Sequence, residues 1–315
     1  MNGFLSNLNI YDYTKEQTEP AVQFKEEDVR FKKALFSEYG VTPVRGGQSY
    51  DNKFLPIING DFIKTISQTA LSVISEIDRT RLLQSYLIYA HEFLEPPSVL
   101  TPSMKVKQYL KIKAMLPFSL RGAGSAGAVQ AIELLAVSPG CEKDHLVICA
   151  DKAREPTAKK LPARYPVGDS ICAFLYSKEK GDFKILSSKV ISWHIGIDNI
   201  HEFNDNTAEK LYREMADKVG AFLYKHFSKH QKRVTVILQS FSPFVTQYIK
   251  TIASELVHFY ERQVFPQINF LSSDPFISLY ELEKSSLIKR GDITVLVFIG
   301  SLGNIGFLTL QYDGA

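Results

Sequence analysis

The residues with the clearest chemical potential lie in a turn of tiny side chains, Gly122-Ala-Gly124-Ser-Ala-Gly127. The turn follows a predicted strand, Met115 to Leu120, and precedes an apolar helical pattern. A turn of this kind presents a side chain or backbone amides at a helix N-terminus, where partial positive charge favours anions. Ser125 is the side chain that this turn could present, and Gly124 and Gly127 are candidates for substrate contact. In the alternative interpretation, Ser125 only fits a crowded turn and caps the helix.

The same turn is a literal G-x-G-x-x-G motif between a strand and a helix. Asp151 ends the next predicted strand, at about the spacing expected of an acid that binds ribose. These features alone predict an NAD(P)-binding oxidoreductase. Pro117 interrupts the preceding strand, and the motif sits deep within the chain, so dinucleotide binding is retained only as an alternative.

Basic residues cluster in a loop with three prolines; they are Lys152, Arg154, Lys159, Lys160 and Arg164. Such a loop could dock an acidic protein or a phosphate-bearing ligand, although a basic run is more often a solvated surface. The whole chain has 37 Lys plus Arg against 34 Asp plus Glu, a net charge of +3. This excess is too small to indicate nucleic acid as the main partner.

The three cysteines show no C-x-x-C spacing, which argues against a zinc site and for reduced thiols. Cys149 and Cys172 lie in apolar runs and are interpreted as core residues. The first residues lack the pattern of a signal peptide, and no uncharged apolar run is long enough to cross a bilayer. We therefore expect a cytoplasmic protein with no metal and no membrane partner.

Short apolar runs alternate with longer stretches of helical period, which predicts an α/β protein whose strands are covered on both faces. Asn206 followed by Glu209 is typical of a capping box that opens a helix, here ending near His226. Ser242 and Pro243 form an N-cap and N1 pair for another helix. The predicted strands are Ser85 to Tyr89, Met115 to Leu120, His145 to Ala150, Ser170 to Tyr176, Val234 to Leu238, Thr294 to Phe298 and Gly306 to Gln311.

Several segments, in order along the chain, resemble β-ketoacyl-acyl-carrier-protein synthase III of the thiolase superfamily. There the turn reads roughly Phe-Asp-x-x-x-Ala-Cys-Ser-Gly-Phe, which puts Ser125 in the place of the nucleophilic cysteine, or Gly124 if the register slips by one residue. The segment from Val167 to Tyr176 is similar to the family's Phe-Gly-Asp-Gly-Ala-Ala-Ala strand. The segment Phe298-Ile-Gly-Ser-Leu-Gly303-Asn-Ile-Gly306-Phe is similar to its C-terminal glycine-rich loop, which makes Gly303 and Gly306 candidates for substrate contact.

The resemblance implies a five-layer αβαβα fold, formed as one unit from two duplicated halves of about residues 1–180 and 181–315. It also implies action on acyl groups carried by coenzyme A or acyl carrier protein. The basic loop could then dock an acidic acyl carrier protein or the phosphates of coenzyme A. Gln239 stands where the family's Pro-His-Gln-Ala-Asn has its histidine, and Ser272 lies near the place of its Gly-Asn-Thr-Ser asparagine. Decarboxylative condensation needs a thiolate and two neutral donors. The cysteine, histidine and asparagine are all expected to be missing, so condensation is not expected.

Two functions stay open. One is a catalytically silent partner subunit in specialised-metabolite or fatty-acyl biosynthesis, either a homodimer or a heterodimer with a cysteine-bearing condensing enzyme. The other is a serine-dependent acyltransferase, with His194 or His201 as the base for Ser125. In both, acyl-coenzyme A or a phosphopantetheinyl acyl carrier would be the substrate, and no cofactor would be bound permanently.

Overall fold

The structure is a computed structural model. It describes residues 3–12, 56, 58, 60–75, 77–92, 101–138, 143–152, 164–165, 167–193, 205–228, 234–300 and 303–314. The predicted base candidates His194 and His201 lie outside the described residues, as do Arg154, Lys159 and Lys160 of the basic loop.

Within the described residues, ten strands make up the sheet. They are β1 Phe4–Ile10, β2 Tyr86–Ala90, β3 Leu116–Leu120, β4 His145–Asp151, β5 Ser170–Ser177, β6 Phe183–Ser192, β7 Val234–Leu238, β8 His258–Tyr260, β9 Ile293–Gly300 and β10 Asn304–Tyr312. Six helices accompany them in this part of the chain. They are α1 Phe62–Ile74, α2 Pro102–Leu110, α3 Gly127–Val137, α4 Asp205–Phe227, α5 Pro243–Ala253 and α6 Asp274–Lys284. Short 3₁₀ turns, Gly124–Ala126 and Leu271–Ser273, lead into α3 and α6.

The order of elements repeats once along the chain. In the first half β1 pairs with β5, β5 with β4, β4 with β2 and β2 with β3, the first two pairs antiparallel and the last two parallel. In the second half β6, β10, β9, β7 and β8 follow one another with the same directions. A short pairing of β1 with β6 joins the halves. The predicted duplication of two α/β halves is therefore confirmed.

The buried side chains separate into layers because successive strand residues point to opposite faces. On β4, Leu146 and Ile148 pack with α1 and α2, whereas Val147 and Cys149 face a central cluster with α3 and α6. The same alternation occurs on β9, whose other face packs on α4 and α5. The layers therefore run helices, strands, α3 with α6, strands, helices. Cys149 and Cys172 are both fully buried in the central cluster, as predicted.

Seven strands were predicted within two residues of their observed ends, and three were missed. β8 has only three residues, which is too short to produce a pattern. β1 and β6 carry many polar side chains and show mixed burial, so apolar runs could not identify them. Pro117 lies inside β3, but β3 is at the edge of the sheet, where a missing backbone N–H is tolerated.

Helices α4 and α5 begin close to where the sequence signals predicted, but the expected capping hydrogen bond of Ser242 is not formed. α5 begins at Pro243 with Ser242 as its N-cap residue, as predicted. The Ser242 hydroxyl nevertheless makes no capping hydrogen bond; it is fully buried and has no partner among the described residues. The predicted helix from Asn206 to near His226 is observed as α4.

His145 begins β4 and is fully buried beside Tyr86. Its Nδ1 accepts a hydrogen bond from the Tyr86 backbone N–H at 3.0 Å, and its Nε2 has no partner among the described residues. Burial, opposed by the charge of Asp144, lowers the pKa of His145 from 6.5 to about 4. The folded protein therefore holds this imidazole neutral.

We expect the free energy of unfolding to fall as pH drops from about 6.5 to about 4, because only the unfolded chain binds a proton at His145 in that window. The loss should reach about 3 kcal/mol in total. The His145→Asn variant keeps an acceptor for the Tyr86 N–H and removes the titration. Denaturant unfolding at several pH values measures the difference, and equal pH slopes for the two proteins would contradict this assignment.

Candidate active site

Ser125 lies in the 3₁₀ turn that leads into α3, and its side chain is fully buried. Gly124 allows the turn because its φ of +55° lies in the left-handed region. The Ser125 hydroxyl donates to Glu92 Oε2 at 2.6 Å and accepts from Gln239 Nε2 at 2.9 Å. The N-cap residue of α3 is Ala126, and no side chain caps the helix. The interpretation of Ser125 as a helix cap was therefore wrong.

Glu92 was not identified from the sequence. It stands just beyond the carboxyl end of β2, at the edge where Asp151 ends the neighbouring parallel strand β4. Functional groups of open α/β sheets gather at such edges. A carboxylate that accepts a hydrogen bond from a hydroxyl is placed to take its proton. Glu92 therefore lies where a base for Ser125 would have to be, a place for which the sequence analysis considered His194 and His201.

Gln239 follows β7 and occupies the place predicted for the family's histidine. Its Oε1 accepts from the Ile299 backbone N–H at 2.7 Å, and its Nε2 donates to both Ser125 Oγ and Asn269 Oδ1. A backbone N–H can only donate, so the Ile299 bond fixes which way the amide points. Both Nε2 hydrogens are thereby used inside the protein. Gln239 orients the serine hydroxyl and cannot act as a base.

Asn269 is the second residue that sequence analysis missed. Its Oδ1 accepts from Gln239 Nε2 at 3.0 Å and from the Leu271 N–H at 2.8 Å. Its Nδ2 is buried and has no hydrogen-bond partner among the described residues. An unpaired buried donor costs about 1–3 kcal/mol. The structure therefore holds an unpaired amide donor on Asn269, which contacts Gln239, where the sequence analysis expected no asparagine.

Ser272, which was predicted near the asparagine position, makes other contacts. Its hydroxyl donates to Asp151 Oδ2 at 2.5 Å and lies 3.4 Å from the Ala90 carbonyl oxygen, and its N–H also donates to Asp151. The other Asp151 oxygen accepts from the Glu92 N–H at 2.7 Å. Asp151 is thus buried with both oxygens engaged. The dinucleotide interpretation loses its proposed ribose-binding acid.

Asp274 holds the two loops that carry the amides. Its Oδ1 accepts from the Ser240 N–H at 3.0 Å and its Oδ2 from the Phe270 N–H at 2.9 Å, next to Gln239 and Asn269 respectively. Arg262 pairs with the same carboxylate at 3.3 Å, with both side chains buried. Asp274 also begins α6, where a negative charge is favourable. The relative position of Gln239 and Asn269 is therefore set by a buried charge cluster.

Arg164, predicted as part of a docking loop, is 5% exposed. Its guanidinium lies 4.0 Å from the centre of the Phe241 ring. Burial lowers the pKa of Arg164, while the neighbouring Tyr212 and Glu92 act in the opposite direction. An arginine remains charged even so. Arg164 is therefore a buried cation near Glu92, which corrects its place in an exposed docking surface; docking by the rest of the loop stays a prediction.

Among the glycines predicted to contact substrate, Gly306 has a packing explanation. A Cβ on Gly306 of β10 would lie 2.8 Å from Val129 Cγ2 and 3.2 Å from Ala126 Cβ, so this glycine lets the start of α3 approach β10. Gly303 adopts φ +75° between β9 and β10, and its carbonyl accepts from the Trp193 N–H. At Gly127 a Cβ would meet only ordinary contacts, the nearest at 3.9 Å.

The described residues contain no group of His, Cys, Asp and Glu side chains that could hold a metal ion. None of the described helices is both long enough and apolar enough to span a membrane.

No family model and no curated protein matches the chain. Solved structures do match. ChlB3, described as an acyltransferase, is 15% identical with a TM-score of 0.72, covering 100% of this chain and 98% of that chain. A variant of OleA from Xanthomonas campestris with bound lauric acid and lauroyl-CoA is 13% identical, with a TM-score of 0.68 and 99% coverage of each chain.

A third match is 3-oxoacyl-[acyl-carrier-protein] synthase III from Aquifex aeolicus. It is 15% identical with a TM-score of 0.67, and the match covers 98% of this chain and 100% of that chain. Likeness at such low identity shows the fold. The chain therefore has the thiolase-like fold of ketoacyl synthase III, as its motifs predicted.

We expect Gly306→Ala to lower the free energy of unfolding by about 1–3 kcal/mol, because the new methyl group forces α3 away from β10. Gly127→Ala is the matched control, since its methyl group has room and the change should stay within about 1 kcal/mol. Denaturant unfolding of both variants measures the difference. Equal stability of the two variants would contradict the packing explanation.

Proposed function

We propose that this protein is an acyltransferase in which Ser125 accepts an acyl group from a thioester of coenzyme A or acyl carrier protein. The observation that carries the proposal is the position of the Ser125 hydroxyl, which donates to the Glu92 carboxylate at 2.6 Å and accepts from Gln239. A serine becomes a useful nucleophile only when a positioned base removes its proton. Glu92 meets that requirement.

The chemistry follows from these contacts. Glu92 takes the hydroxyl proton as Ser125 Oγ attacks the thioester carbonyl carbon and a carbon–oxygen bond forms. The carbon–sulfur bond then breaks, and the thiolate takes the proton back from Glu92, which leaves an acyl ester on Ser125. An acceptor group discharges the ester by the reverse sequence, with Glu92 again as the base.

Asn269 supplies the donor for the negative charge that develops on the carbonyl oxygen. Its Nδ2 is buried beside Gln239 and has no partner among the described residues, so it can donate without breaking an existing bond. Oxyanion stabilisation by one such donor is worth about 100- to 1,000-fold in rate. Gln239 has no unused hydrogen to offer, because both hydrogens on its Nε2 are already donated. One free side-chain donor suits acyl transfer, whereas decarboxylative condensation calls for two and a thiolate.

The structural neighbours support the substrate class. ChlB3 is described as an acyltransferase, OleA was solved with lauroyl-CoA, and the Aquifex aeolicus protein is a 3-oxoacyl-[acyl-carrier-protein] synthase. The substrate we propose is accordingly an acyl thioester of fatty-acyl or polyketide biosynthesis. The acyl chain would be donated to Ser125 by coenzyme A or by a phosphopantetheinyl carrier.

A catalytically silent partner subunit is the second candidate. Two observations favour it: Ser125 is fully buried, and every hydrogen-bonding group of the Gln239 amide is already used within the protein. The edge strand β3 exposes Leu116 and Phe118, which offers a surface for a second subunit. That subunit would be another copy or a cysteine-bearing condensing enzyme.

Incubation with a panel of acyl-coenzyme A and acyl-carrier-protein donors should add one acyl mass to the protein, detected by intact-protein mass spectrometry. Ser125→Ala should abolish the adduct, and Glu92→Gln should slow its formation at least about 100-fold because a glutamine cannot take the proton. Ser273→Ala is the matched control, since that buried hydroxyl bonds the Cys149 carbonyl and not Ser125. An absent adduct across the panel would favour the silent subunit and direct a search for a co-purifying partner.

Asn269→Asp retains an oxygen for Gln239 and Leu271 but removes the free Nδ2 donor. We expect the first-turnover acylation rate to fall about 100- to 1,000-fold, while any adduct still forms on Ser125. Rapid-quench mass spectrometry measures that rate. An unchanged rate would show that another group stabilises the carbonyl oxygen.

A further inference from the structure

Glu92 lies just beyond the end of β2, so strand pairing does not hold its backbone in place. Its backbone N–H, however, donates to Asp151 Oδ1 at 2.7 Å. Asp151 ends β4 and is 2% exposed, so this contact is a charge-assisted hydrogen bond in a buried environment. The backbone of Glu92 is thereby tied to the adjacent strand.

Asp151 is held in turn from the other half of the molecule. Ser272, fully buried in the turn before α6, donates to Asp151 Oδ2 through both its N–H and its hydroxyl. The Ser272 hydroxyl also lies 3.4 Å from the carbonyl oxygen of Ala90, the last residue of β2. Ser272, from the second half, therefore contacts both the Asp151 carboxylate and the end of β2, the strand that leads to Glu92.

These contacts close a ring of hydrogen bonds. On one side, Ser125 donates to Glu92, and both Glu92 and Ser272 donate to Asp151. On the other side, Leu271, the neighbour of Ser272, donates to Asn269, and Gln239 donates to both Asn269 and Ser125. We propose that Asp151 and Ser272 are positioning residues that hold the Glu92 carboxylate against Ser125. This inference rests on the proposed acyl transfer, in which Glu92 is the base.

The ring also joins the Glu92 carboxylate and the Asn269 amide, the two groups that acyl transfer needs at a fixed separation. Glu92 reaches Ser125 from the end of β2, while Asn269 Oδ1 accepts from the N–H of Leu271, which lies in the same turn as Ser272. Misplacement of a catalytic group by about 1 Å can cost about 100-fold in rate. Ser272 holds Asp151 and lies beside the residue that holds Asn269, although it touches no reacting atom.

The test compares Ser272→Ala with Ser273→Ala. The two serines are adjacent and both fully buried, but the Ser273 hydroxyl bonds the Cys149 carbonyl at 2.7 Å and not Asp151. We expect Ser272→Ala to lower the rate constant of Ser125 acylation at saturating donor about 10- to 100-fold. The donor concentration at half-saturation should stay within about twofold. Ser273→Ala should match the wild type, and equal rates for the two variants would overturn the inference.

Crystal structures of the same variants provide the second readout, which does not depend on activity. The Glu92 carboxylate should leave hydrogen-bonding distance of Ser125 in Ser272→Ala and remain there in Ser273→Ala. If Ser272→Ala does not fold, Asp151→Asn replaces it, because an asparagine has one acceptor oxygen and cannot accept from both Glu92 and Ser272.

A wild-type protein that is never acylated would refute the proposed function. The crystal structures would still decide the positioning role: Glu92 displaced in Ser272→Ala supports it, and Glu92 unmoved overturns it.

Discussion

A fully buried serine hydroxyl needs an acceptor for its hydrogen and a donor for its lone pair, and the site is arranged around that requirement at Ser125. The acceptor, Glu92, comes from the first half of the chain, and the donor, Gln239, from the second. Because a lost partner leaves a buried polar atom unpaired, each contact constrains the next. The duplicated halves are therefore joined by polar chemistry as well as by apolar packing.

The central layer gives this chemistry its rigidity. The starts of α3 and α6 meet between the two sets of strands, and small residues let them approach: Gly306 leaves room for Ala126 and Val129. Asp274, paired with buried Arg262, ties down the loops beside Gln239 and Asn269. Removing one partner of a buried ion pair is costly, so this cluster resists rearrangement. A site built this way can hold a base and an amide donor at a fixed separation.

The fold could be predicted largely from local pattern. Seven strands and the boundaries of α4 and α5 followed from apolar runs, caps and Pro243, since these signals act over a few residues. The sequence did not predict β1, β6 and β8, because these strands are stabilised by pairing with their neighbours and their own side chains show no clear strand pattern. The family resemblance also placed Ser125 and Gln239 correctly at the ends of their elements, because the order of motifs is preserved along the chain.

The sequence by itself determined the αβαβα class, and its family resemblance predicted Ser125 and Gln239 in the places of the family's cysteine and histidine. Only the tertiary structure decided what surrounds Ser125. Glu92 lies 33 residues from it and Gln239 114 residues, and no local periodicity records a contact between strand ends so far apart. Asn269 rather than Ser272 meets Gln239, and Arg164 is buried rather than exposed. These contacts depend on which side chains meet at one edge of the sheet, where burial favours hydrogen bonds between polar groups.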